Sequence, residues 1–139
     1  MKLKNISESD YNNLFDLIQK KDKSLKIFLF CGKVGSGKTT MIKSFTKKLS
    51  INNNTSSPTF NIVNEYKDDD KKSIYHFDLY RLKSINDLVE IGFGEYINSG
   101  NYCFIEWPEI AYSFFVDKYI SINISINSKN SRDLDITFH

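Results

Sequence analysis

Residues 27–39 read Ile27-Phe28-Leu29-Phe30-Cys31-Gly32-Lys33-Val34-Gly35-Ser36-Gly37-Lys38-Thr39. An uninterrupted apolar run enters a glycine-rich turn, and beyond it Met41, Ile42, Phe45 and Leu49 recur at helical spacing. Such a run is the pattern of a strand covered on both faces. Gly32 to Thr39 fits G-x-x-x-x-G-K-[ST], and strand, loop and helix in that order are the context the motif requires.

The chemistry follows from what a nucleoside triphosphate needs. Small residues let the main chain wrap phosphates closely, while successive N–H groups and a helix N-terminus supply a positive field. The expected phosphate-binding set is Gly32, Lys33, Val34, Gly35, Ser36, Gly37, Lys38, Thr39 and Thr40. Lys38 is positioned to reach the outer phosphates and the Thr39 hydroxyl to ligate Mg²⁺, so ATP and Mg²⁺ are the expected ligands. Lys33, a long cation at the loop tip, is expected to face solvent and to take no part in catalysis.

Outward from this centre the chain alternates helices and strands. Tyr11, Leu14, Phe15 and Ile18 mark a helix within residues 7–20, with Ser7 and Asp10 placed as a capping box. Residues 60–66 and Ser73 to Leu79 form a hairpin around the charged tip Lys67 to Lys72. A helix is expected from Ser84, with Ile85, Leu88, Val89 and Phe93 inward and Gly92 and Gly94 weakening its end. Tyr102 to Ile105 is a second short buried strand, and residues 120–126 and 134–138 alternate as a closing hairpin. The fold expected is α/β: one P-loop NTPase domain over residues 1–139, its mixed, largely parallel sheet flanked by helices and ending in an antiparallel hairpin.

A P-loop enzyme also needs an acid near the metal and a group that positions the attacking water or acceptor. Asp78, Glu106 and Thr59 lie at strand ends or in loops. Glu106 emerges at the carboxyl end of a buried strand, where open α/β sheets place their ligands, and is the best Walker-B-like acid. Asp78 reads equally as a charged strand margin, Trp107 as a core residue after a strand, and His76 as a satisfied structural histidine.

Composition narrows the partners. With 139 residues, 40% hydrophobic and 26% charged, the chain suits one folded domain rather than a disordered segment. A formal net charge of +2 gives no strong electrostatic case for direct binding of nucleic acid or membrane. No apolar run approaches the roughly 20 residues of a membrane helix, and residues 1–10 carry no signal-peptide core. Cys31 and Cys103, each inside an apolar run, read as buried thiols rather than a disulfide or a zinc site. A cytoplasmic protein is expected.

Ser57-Pro58-Thr59-Phe60, Asn64-Glu65-Tyr66, His76-Phe77-Asp78-Leu79-Tyr80-Arg81-Leu82 and Glu106-Trp107-Pro108-Glu109 resemble, in order and spacing, the signature of the TsaE family. These are small bacterial ATPases required for the threonylcarbamoyladenosine modification of tRNA. The resemblance spans roughly residues 7–138. It implies a switch-type role for Thr59 and an acidic pair, Asp78 and Glu106, about Mg²⁺ and the attacking water. It promotes Tyr80, Arg81 and Trp107 to binding or partner contacts. Arg132 resembles an arginine before the family's final strand, and either a nucleotide contact or closure of the hairpin would suit it. Lys33 stands where the family usually has an acidic residue, Ser36 where it usually has alanine, and residues 92–96 are only loosely family-like. Implied partners are a TsaB and TsaD pair, with tRNA engaged only through that complex.

Two other functions fit the loop. A small-molecule kinase would recruit several lid cations, whereas the only arginines are Arg81 and Arg132. A nucleotide-gated binding protein with negligible hydrolysis would use the same phosphate-binding residues. A GTPase is disfavoured because no Asn-Lys-x-Asp segment occurs.

Overall fold

The computed structural model describes residues 1–50 and 62–139. Its centre is a seven-stranded sheet in the order β1-β7-β6-β2-β5-β4-β3. The strands are β1 (Lys2–Ile6), β2 (Ile27–Cys31), β3 (Val63–Lys67), β4 (Ser73–Asp78), β5 (Tyr102–Glu106), β6 (Ile120–Ser128) and β7 (Ser131–Phe138). β2 runs parallel to both β5 and β6, and β4 runs parallel to β5. The outer pairs β1/β7, β6/β7 and β3/β4 are antiparallel. The fold is therefore mixed α/β, with a parallel centre and the closing hairpin that the sequence indicates.

The central strands are apolar because helices cover both faces. Phe28 and Phe30 point towards α1 (Tyr11–Lys21) and α2 (Lys38–Leu49), where they join Phe15, Phe45 and Phe104 in one aromatic core. Ile27 and Leu29 point the other way, onto Phe77, Leu88, Phe93 and Ile105. Each such side chain contributes roughly 1.5–3 kcal/mol of burial, so β2 anchors the loop that follows it. All four predicted inward residues of α1 are buried, and the helix is preceded by a 3-10 turn at Glu8–Asp10, where the Ser7 N–H donates to Asp10 at 2.8 Å.

Several expectations are corrected. The helix expected from Ser84 is broken into α3 (Ile85–Glu90) and α4 (Phe93–Ile97), with Gly92 at φ 73° between them. Leu88 and Phe93 face inward as expected, but Ile85 and Val89 are exposed, because so short a helix buries only one narrow stripe. Cys103 is buried and its thiol is pushed up to about 12 by burial. Cys31 is only half-buried, its Sγ 3.8 Å from Tyr112 Oη. β1, paired with β7, is a strand that the sequence pattern does not indicate, and residues 60–61 of the first hairpin strand lie outside the described residues. No helix among the described residues is long and apolar enough to cross a membrane.

Candidate functional site

The loop leaves β2 at Gly32 and enters α2 at Lys38, between the carboxyl ends of parallel strands. Two of its glycines are fixed by different constraints. A Cβ on Gly32 would stand 2.5 Å from Ser36 Oγ and 2.8 Å from the Ile124 carbonyl, so no side chain fits. Gly37 holds φ 104°, a left-handed value that glycine adopts at little cost. The first turn of α2, whose leading N–H groups have no partner within a helix, borders an open cavity of about 360 Å³ lined also by Val34, Glu106, Trp107 and Arg132.

Inside this space the polar groups converge. Lys38 Nζ donates to the Gly32 carbonyl at 2.6 Å and to that of Lys33 at 3.2 Å. It also lies 4.0 Å from the centre of the Trp107 ring, a cation–π contact. Burial pulls the Lys38 ammonium below the usual lysine range, while the Glu106 and Asp78 carboxylates oppose that shift. Thr39 Oγ1 is 2.9 Å from Glu106 Oε1 and 3.0 Å from Oε2.

Glu106 ends β5 and is 3% exposed. Asp78 stands directly opposite it at the end of β4, so the two carboxylates are neighbours on one face. Burial pushes the Asp78 carboxyl above the usual range and the nearby Glu106 adds to the shift, although the Tyr80 N–H donating at 3.1 Å opposes it. His76, two residues earlier, places Nε2 2.7 Å from Glu106 Oε2. The expected structural histidine is thus satisfied, but by the acid itself.

The remaining candidates divide. Arg132 Nε donates to the Ser36 carbonyl at 2.7 Å, and its Nη1 donates to the Ser128 and Ser131 carbonyls, so it ties the closing hairpin to the loop. Trp107 occupies a left-handed φ of 56° and packs against exposed Tyr80 with ring centroids 4.9 Å apart. Lys33 is exposed, as expected. Arg81 is exposed and outside the cavity lining. Thr59 lies outside the described residues. Among the described residues no cluster of three His, Cys, Asp or Glu side chains could hold a metal alone.

A parallel sheet centre, a glycine loop capping a helix and an acid on the neighbouring strand define a P-loop nucleotide-binding protein. YdiB of Bacillus subtilis has the same fold, with a TM-score of 0.69 over 99% of this chain and 84% of that one at 22% identity. Residues 6–134 match the family model for "Threonylcarbamoyl adenosine biosynthesis protein TsaE". The chain belongs to the TsaE family, whose members take part in threonylcarbamoyladenosine biosynthesis on tRNA. Similar proteins carrying that family's name include one from Rickettsia felis, 37% identical over 91% of this chain and 73% of that one. Another, from Bacillus subtilis, is 31% identical over 76% of this chain and 65% of that one.

Proposed function

We propose that this protein binds MgATP at the loop and hydrolyses it, weakly alone and faster with a TsaB and TsaD pair, to support threonylcarbamoyladenosine modification of tRNA. The observation that carries the reading is the contact of Thr39 with Glu106, which joins the metal-side hydroxyl of the loop to a buried acid.

Lys38 exchanges the Gly32 and Lys33 carbonyls for the outer phosphate oxygens, a stronger partner for an ammonium. The donors beside it fit a magnesium ion. Thr39, Asp78 and Glu106 offer hard oxygens, and Mg²⁺ characteristically takes one or two protein ligands and completes its shell with phosphate and water. Bound there, the metal would neutralise charge developing on the phosphates. Glu106 orients the attacking water or accepts its proton. Trp107 walls one side of the reacting group, and Tyr80 packs against it from outside the cavity. A second cavity of about 340 Å³ shares Gly37, Thr40 and Arg132 with the first and is walled by Tyr11, Lys129 and Asn130. The nucleoside half of the ligand extends into it. The domain covers residues 1–139, and the protein works in the cytoplasm.

The test is phosphate release from ATP and GTP, with and without Mg²⁺ and the TsaB and TsaD pair. ATP is expected to be preferred and partners to stimulate. Glu106→Gln is expected to keep MgATP binding and lose about 10²-fold or more in turnover. Hydrolysis by Glu106→Gln at the parent rate would overturn the assignment of the acid.

A further inference from the structure

His76 lies in the middle of β4, 1% exposed, diagonal to Glu106 across the parallel β4/β5 pair. Among the described residues, the side chains donating to the Glu106 carboxylate are His76, at 2.7 Å on Oε2, and Thr39, which spans both oxygens. A glutamate's terminal torsion is broad and sets no orientation of its own. A buried carboxylate is therefore oriented by its hydrogen-bond donors. The Thr39 hydroxyl is the donor that turns towards a metal when ligand enters. His76 has no such second duty, since its strand is fixed by β5 on one side and β3 on the other.

We infer that His76 is a positioning residue: with its proton on Nε2 it holds Oε2 of Glu106, leaving Oε1 directed to the reacting water throughout turnover. The inference rests on the proposed hydrolysis, in which Glu106 is the acting acid. It goes further by giving a reason for an imidazole at this buried place, where a phenylalanine or isoleucine would satisfy the core alone.

The substituents that test it differ in where they carry an N–H. Glutamine places its amide nitrogen near the position of imidazole Nε2, and asparagine places its own near Nδ1. His76→Gln is expected to keep partner-stimulated turnover within a few-fold of the parent, about threefold, because the donor is retained. His76→Asn is expected to lose on the order of 10- to 100-fold in kcat, as misplacement of a catalytic group does, with the Kd for MgATP unchanged. In a Glu106→Gln background the same His76→Asn change is expected to cost nothing further, because its effect acts through Glu106. Thermal unfolding of each variant accompanies the rates. Equal turnover of the glutamine and asparagine variants would sink the inference, as would a His76→Asn loss that persists undiminished in the Glu106→Gln background. If Glu106→Gln itself hydrolyses at the parent rate, the proposed acid fails. If Glu106→Gln is slow while His76→Asn is not, the inference alone fails.

Discussion

The Thr39 hydroxyl lies 2.9 Å and 3.0 Å from the two carboxylate oxygens of Glu106, sixty-seven residues further along the chain. The start of α2 and the end of β5 are thus joined at the point where the loop meets its acid. A hydroxyl has one proton, so it is shared across the carboxylate and is free to swing. In the proposed MgATP cycle this lets Thr39 leave Glu106 for the metal.

Thr39→Ala is expected to weaken MgATP binding about 10- to 100-fold while leaving metal-free ATP binding nearly unchanged, since a hydrogen bond to a charged group contributes roughly 1.5–3 kcal/mol. Thr39→Ser keeps the hydroxyl and is expected to bind as the parent does. Calorimetric titration with and without Mg²⁺ checks both, and equal behaviour of the two variants would remove Thr39 from the metal side.

Lys38→Ala deletes the one buried lysine of the loop. It is expected to weaken ATP binding by about 10- to 100-fold, the worth of a charge-assisted contact to phosphate. Equilibrium binding measures this, and unchanged affinity would mean that the ammonium stays on the Gly32 and Lys33 carbonyls.

Asp78 predicts a pH dependence of unusual sign for an aspartate. Burial raises its folded pKa above the unfolded value, so the native state holds the proton more tightly than the unfolded chain. Its stabilising contribution is complete below the unfolded pKa, near 3.9, and is lost as pH rises through the folded pKa. Asp78→Asn keeps an acceptor for the Tyr80 N–H and removes the buried charge. The ligand-free variant is therefore expected to melt above the parent at pH 7, with the gap closing towards acid. Melting curves from pH 4 to 8 decide it, and a lower melting temperature at neutral pH contradicts the argument.

Gly35→Ala tests backbone strain alone, whereas Gly32→Ala, at φ 155°, adds lack of space to it. At Gly32 an added methyl meets Ser36 and the Ile124 main chain, whereas at Gly35 nothing lies within 4 Å although φ is 81°. Gly35→Ala is expected to cost about 1–2 kcal/mol through its left-handed backbone. Gly32→Ala is expected to cost about 1–3 kcal/mol and also to abolish nucleotide binding by pushing Ser36 into the loop. Denaturant unfolding beside ATP binding distinguishes them, and normal binding by Gly32→Ala would refute the close packing.

What could be read from the residues follows from the range of the forces involved. The loop and the helix after it are legible because their chemistry is local, and Glu106 is legible because an unbroken apolar run ends at it. β1 is not legible because Lys2-Leu3-Lys4-Asn5-Ile6 is an edge strand with mostly exposed side chains and a bulge, so neither alternation nor hydrophobicity marks it. Ile85 and Val89 misled because apolar spacing gives a face but not whether anything covers it. The roles of His76 and Arg132 needed tertiary structure, since the partner that ties each to the loop or its acid lies far off in sequence: Glu106 thirty residues from His76 and Ser36 ninety-six from Arg132. The period-two alternation does put His76 on the face of Asp78, the one sequence signal that pointed to it.

The pairing of Lys2 with Asp135 and Leu3 with Leu134 sets the order in which the sheet can be assembled as the chain is made. β1 is not paired until β7 has been made, and the apolar strand Ile27–Cys31 has neither neighbour until residues 102–106 and 120–123 have followed it. Closing loops of that length precedes any gain from the contacts they permit. The same crossover that sets the phosphate loop between parallel strands therefore leaves this apolar strand unpaired while the whole intervening stretch is being made, the interval in which an exposed strand edge is open to wrong pairing.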